Sequence, residues 1–226
     1  MPSDTRGSAS RRLEIAESLV ALAAAGVSPN LFWVAQAGYA KLSWLGLHVL
    51  VPSVVVLVAV LVAARAQGHR RLVNRLLAGA GAGVLATAGL EAVRITGFHL
   101  GGMPGSLPKL LGVLLLNRFM LGPSTLSNVV GWAYHFWNGV TFGIVFAVLL
   151  GRKPLWWAVG FGELVGIGFL VSPAVRALGV GFLALDMPWM IVTVVLAHTV
   201  FGLLLGFLTR RWIRDSGWLL ASLRPG

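Results

Sequence analysis

Three histidines and two glutamates lie inside long apolar stretches: His48, Glu91, His135, Glu163 and His198. Each falls in a different stretch, and the stretches run 42–64, 76–98, 126–150, 155–175 and 188–208. Their depths can be compared from the nearest basic residue at one end. His48 is 17 residues from Arg65, Glu91 is 16 from Arg75 and His135 is 17 from Arg152; Glu163 is 10 from Lys153 and His198 is 12 from Arg210. At the helical rise these depths fall in a slab about 10 Å thick.

Ionisable groups are costly inside a bilayer, so they face a bundle interior and find partners there. Imidazole and carboxylate at a common level make a ligand set for iron, copper or zinc. His48, His135, His198, Glu91 and Glu163 would then hold one metal, or two with a bridging carboxylate. Haem b is the other cofactor reading. His135 and His198 would be its axial pair, with Gly139 and Gly202 allowing the flat ring to approach the backbones. The same residue types also serve proton or ion pathways, with Asn138 and Thr141 as added polar lining. A third reading is an assembly subunit without chemistry, in which Glu91 simply pairs with Arg94 one turn away and Glu163 bonds a neighbouring helix.

Glycine spacing points these faces inward. His135-xxx-Gly139-xxx-Gly143 recurs as His198-xxx-Gly202-xxx-Gly206, and Gly79-xxx-Gly83-xxx-Thr87-xxx-Glu91 runs in the opposite sense. Steps of four keep residues on one helix face, and small residues there let membrane helices approach closely.

The composition sets the frame for these residues. Of 226 residues, 57% are hydrophobic and only 11% charged, whereas a soluble domain has about 25% charged. The reading is all-α: a polytopic transmembrane bundle of five spans, with segment 18–40 as a sixth candidate. No cysteine is present, which excludes disulfides, thiolate zinc sites, iron–sulfur clusters and cysteine nucleophiles. The net charge of +11 would indicate nucleic acid in a soluble protein; here it indicates loops on one side of a bilayer, and no nucleic-acid partner is expected. Phosphate-binding loops, dinucleotide fingerprints and identifiable Ser-His-Asp sets are missing from the sequence. Enzymatic activity would therefore have to come through the metal.

Arg65, Arg70, Arg71, Arg75, Arg152, Lys153, Arg210, Arg211, Arg214 and Arg224 gather at one end of the spans. By the positive-inside rule that end is cytoplasmic, with the C-terminus there, in an inner membrane. Five spans would leave the N-terminus outside despite Arg6, Arg11 and Arg12, and a sixth would remove the conflict. Segment 18–40 is expected to break at Ser28-Pro29-Asn30 and lie at the interface. Ser10-Arg11-Arg12 with Ala35-Gln36-Ala37 superficially resembles a twin-arginine signal, but Glu14 and Glu17 sit badly in one.

Residues 110–121 are too short to span and should fold back as a re-entrant or interfacial helix over whatever lies between the spans. His99, Met103, Met120, Met187 and Met190 cluster near the outer face. Thioethers there could handle Cu(I), although methionine more simply fills gaps.

A glycine-striped helix, a proline-containing outer loop and two His-xxx-Gly helices resemble the layout of small bacterial multi-pass membrane proteins over about residues 75–210. The resemblance implies fold and location and brings no activity. The expected organisation is an N-terminal segment 1–41, a bundle 42–212 and a tail 213–226. Expected partners are the lipid bilayer and either further copies of the chain or subunits of a membrane complex.

Overall fold

The computed structural model describes residues 3–215 and residue 217, with side chains from residue 9 onward. Arg224 and most of the 213–226 tail lie outside the described residues, as does the side chain of Arg6. The chain is all-helical where described, and five of its helices are long and apolar enough to cross a membrane. It is a multi-pass membrane protein. The helices in order are α1 (Ser3–Gln36), α2 (Leu42–Ala66), α3 (Arg70–His99), α4 (Leu107–Leu115), α5 (Thr125–Leu149), α6 (Leu155–Leu170), α7 (Pro173–Ala177) and α8 (Pro188–Trp212).

Two expectations are corrected at helix boundaries. The first helix runs unbroken through Pro29, and its Ala9–Gln36 portion qualifies as a span. Proline inside a helix removes one hydrogen bond and disturbs the preceding turn, a defect that neighbouring side chains can repair in a membrane. Pro29 cannot donate to the Ala25 carbonyl one turn back; beside it, Tyr134 of α5 donates to the Ser28 carbonyl at 2.8 Å and Ser28 Oγ donates to Asn138 Oδ1 at 2.6 Å, which pin this turn to α5. Asn30 adds a bond from its amide nitrogen to the Gly26 carbonyl at 2.7 Å.

The second correction concerns α6, which stops at Leu170, short of 175. The residue before a proline is steered out of the helical region, and Ser172 accordingly turns extended and caps the short α7. With 16 residues, α6 is about 24 Å long, less than the roughly 30 Å hydrocarbon core.

Within α2, residues Gly46–Leu50 form a π-helical turn. Val51 closes the turn by donating to the Gly46 carbonyl, and Pro52 after it has no N–H to donate to the turn before it, consistent with the local widening. At the start of α5, Ser124 and Ser127 form a reciprocal capping box.

The N-terminal half of α1 lies at the basic end, where His69 Nδ1 meets Glu17 at 2.6 Å. Arg75 in the same region bonds Asp215 at 2.6 Å and the Val148 carbonyl at 3.0 Å, tying α3 to the ends of α5 and α8. Both described chain ends thus share the arginine-rich end, and the conflict over Arg6, Arg11 and Arg12 disappears.

At the centre, α3 packs on α5 along one side and on α8 along another. The striped faces meet as antiparallel seams. Gly79 abuts Gly143, Gly83 abuts Gly139, and Thr87 fills the step beside Gly139. The second stripe serves α6: Gly202 lies against Ala158 and Val159, and Gly206 against Ala158.

A side chain at Gly83 would collide with the Gly139 carbonyl, and backbone cannot move aside as a flexible side chain can. Gly160 on α6 has open space around it. Gly83→Leu should therefore cost about 1–3 kcal/mol or more, read as a lowered Tm in detergent, whereas Gly160→Leu should leave Tm nearly unchanged. Equal melting of the two variants would contradict the seam.

Candidate functional site

One turn beyond Thr87 on α3 comes Glu91, and one turn before Gly139 on α5 comes His135. The seam therefore carries these two side chains to each other. His135 Nε2 lies 2.8 Å from Glu91 Oε1 but is not aligned as a hydrogen bond. Arg94 follows Glu91 by three residues and donates from Nη1 to the same oxygen at 2.6 Å. Glu91 and Arg94 are buried, and His135 is 12% exposed.

His198 comes from α8, buried, with its ring seated on Gly166 of α6. Its Nδ1 lies 2.8 Å from the Val194 carbonyl. A carbonyl only accepts, so Nδ1 carries the proton and Nε2 of the neutral ring is left with its lone pair. His198 stands within electrostatic reach of Arg94, His135 and Glu91.

Arg94, His135 and His198 line one cavity of about 530 Å³. That volume falls in the roughly 300–1,000 Å³ range of small-molecule sites. Its walls are mostly apolar, with Leu90, Phe142, Val165 and Phe169 among them, and Asn138, Thr87 and Ser172 add polar atoms. Leu107 and Leu111 of α4 also line it, so the segment between α3 and α5 contributes to the wall, with its helix at Leu107–Leu115 rather than over 110–121. Helix α1 packs on α2 and α5, and α6 packs on α8, so α1 and α6 face each other across the cavity. Asn30 and Trp33 of α1 and Leu164 of α6 line it and are exposed, which marks its mouth on the flank of the bundle.

The slab of five residues is brought together only in part. Glu91, His135 and His198 share the site. His48 does not: it sits on the π-turn of α2, exposed, stacked on Trp44 with ring centroids 4.7 Å apart and bonded to the Trp44 carbonyl at 3.0 Å. Glu163 is committed across the α6–α8 interface, accepting from Thr199 Oγ1 at 2.7 Å. Among the described residues no group of three or more histidine, aspartate or glutamate side chains is arranged to hold a metal ion. Gly139 lines the cavity but spends its small size on Thr87 of α3, while Gly202 spends its own on α6, away from the cavity lining. Met103 and Met190 are buried in an apolar cluster with Leu170, Val175 and Val194, the gap-filling arrangement.

Arginine changes the electrostatics of the site. The Glu91 charge is already balanced by Arg94, so a metal dication would have to compete with the guanidinium for that carboxylate and would bring uncompensated positive charge into a medium of low dielectric. An anionic or uncharged guest meets no such repulsion. In the sequence Arg94 stands out only as a salt-bridge partner for Glu91. The signal that it also reaches the cavity would have been a cation three residues from an acid on a packing face. No family model, curated protein or solved structure matches the chain.

Removing one partner of a buried ion pair costs about 3–5 kcal/mol, while removing both is often nearly neutral. Glu91→Gln should lower Tm markedly, and the Glu91→Gln/Arg94→Gln double variant should recover most of the loss. A double variant that melts below the single one would contradict the pairing.

Proposed function

We propose that this protein binds a small molecule inside the membrane and passes it across or along the bilayer, as a small-solute transporter of the proton-coupled kind. The observation that carries this reading is the cavity: an apolar volume at bilayer depth, open on one flank, whose wall bears Arg94, His135 and His198, with Glu91 behind Arg94 and His135. A buried guanidinium, carboxylate and imidazole in contact supply both an anchor for a polar group and a site for proton exchange. Glu91, not Glu163, is then the acid of the pathway, since Glu163 is occupied with Thr199. The arginine-rich end faces the cytoplasm of a cell with an inner membrane, which places the described end of α8 inside.

Haem b is a second reading, favoured by one observation: His135 and His198 line the same cavity from different helices, and His198 Nε2 has no hydrogen bond within the described residues. It predicts a Soret band from the purified protein that His198→Ala abolishes. An absorbance spectrum without that band overturns it.

The binding reading is tested by mass spectrometry of small molecules extracted from the purified protein. A compound near one per chain should accompany the wild type and be lost from Val165→Trp, which fills the cavity wall. Recovery of the same bulk lipid and detergent from both proteins would contradict it.

A further inference from the structure

We propose that the guest is a single-chain amphiphile with one negative charge, a medium-chain monocarboxylate, held by its head at Arg94 with its chain along the apolar walls toward the mouth between α1 and α6. This rests on the binding reading above and names its ligand.

Arg94 carries five N–H donors and gives one to Glu91, while its side chain also lines the cavity. A guanidinium presents a planar fork that matches a carboxylate. His135 and His198 border the same space and offer further polar contacts to an anionic head.

Charge balance limits the head to one negative charge. Glu91 and Arg94 sum to zero, so a bound carboxylate needs one proton brought with it or taken up beside it. His135 Nε2 lies 2.8 Å from the Glu91 carboxylate and borders the same space. The groups around His135 are Glu91 and Arg94 from α3 and His198 from α8; α1, α4 and α6 bring no charged or titratable side chain to the cavity lining. One proton carried in with the guest leaves the occupied site neutral. A dianionic phosphate monoester would need two protons carried in with it.

The remaining lining fits a hydrocarbon chain. Beyond Arg94, His135 and His198 lie the rings of Phe142, Phe161 and Phe169 and the branched chains of Leu164 and Val165, leading to a mouth at exposed Trp33 and Leu164. A guest that lives in the lipid enters sideways, without crossing water.

The test is a scintillation proximity assay of radiolabelled decanoate on the purified full-length chain, with unlabelled decanoate, decanol and decyl phosphate as competitors. Decanoate should bind near one per chain, and decanol should compete about ten- to a hundred-fold less well, as expected when a charge-assisted hydrogen bond is missing. The Glu91→Gln/Arg94→Gln variant should lose that preference while eluting as a folded monodisperse species. Val165→Trp should lose decanoate binding altogether. Decanol competing as well as decanoate would overturn the charged-head assignment and leave the binding reading standing. Decyl phosphate competing better than decanoate would overturn the single-charge assignment. Absence of decanoate binding to the wild type, with no competition to measure, would overturn this assignment. The binding reading itself fails separately, if the wild type carries no co-purifying compound that Val165→Trp lacks.

Discussion

Contact between the backbones of α3 and α5 fixes where every polar group of the site ends up. Gly83 lies against the Gly139 carbonyl and Gly79 against Gly143, and no residue larger than glycine leaves room for that approach. Once those turns are in register, Thr87 fits beside Gly139, and the next turn brings Glu91 to His135. Lipid tails are as apolar as leucine, so membrane helices associate through close packing and polar contacts rather than hydrophobic exclusion. The seam supplies the first and the Glu91–Arg94–His135 cluster the second. A second seam, from Gly202 and Gly206 to Ala158, holds α6 on α8 and seats His198 beside Gly166.

The same packing leaves a space. Because α6 is committed to α8 and α1 to α2 and α5, a cavity lies between α1 and α6; α7 touches both helices at one end, and exposed Asn30, Trp33 and Leu164 mark the opening. Its depth in the bundle puts a guanidinium, a carboxylate and two imidazoles where water is scarce. Such groups persist in hydrocarbon only when paired, and the ion pair meets that condition. Its remaining donors are what give the cavity a polar pole. The proline turn of α1 belongs to the same set of contacts, since Tyr134 and Asn138 hold the Ser28 carbonyl and hydroxyl from α5, one of the helices that shape the wall.

Much of this was legible in the sequence. Steps of four from Gly79 to Glu91 and from His135 to Gly143 identify two inward faces, and their opposite directions fit an antiparallel pair. Depth counting put His198 at the level of His135, and the two line one cavity. It could not place His48 or Glu163, because depth says nothing about which side of a helix a residue occupies. For His48 the face was set by the π-turn before Pro52, a local departure from 3.6 residues per turn. For Glu163 the face was set by Thr199 on the neighbouring helix, a tertiary pairing invisible in a linear chain. The continuity of α1 through Pro29 was likewise hidden, since the α5 groups that hold the adjoining Ser28 lie more than a hundred residues away.

The most direct test of the account is an experimental density map of the protein in lipid nanodiscs, read at the space between α1 and α6. The account requires α1 and α6 to stand apart, with elongated density running from Arg94 past Val165 to the mouth at Trp33. Helices α1 and α6 packed against each other, with Arg94 and His135 sealed off from any open volume, would contradict it.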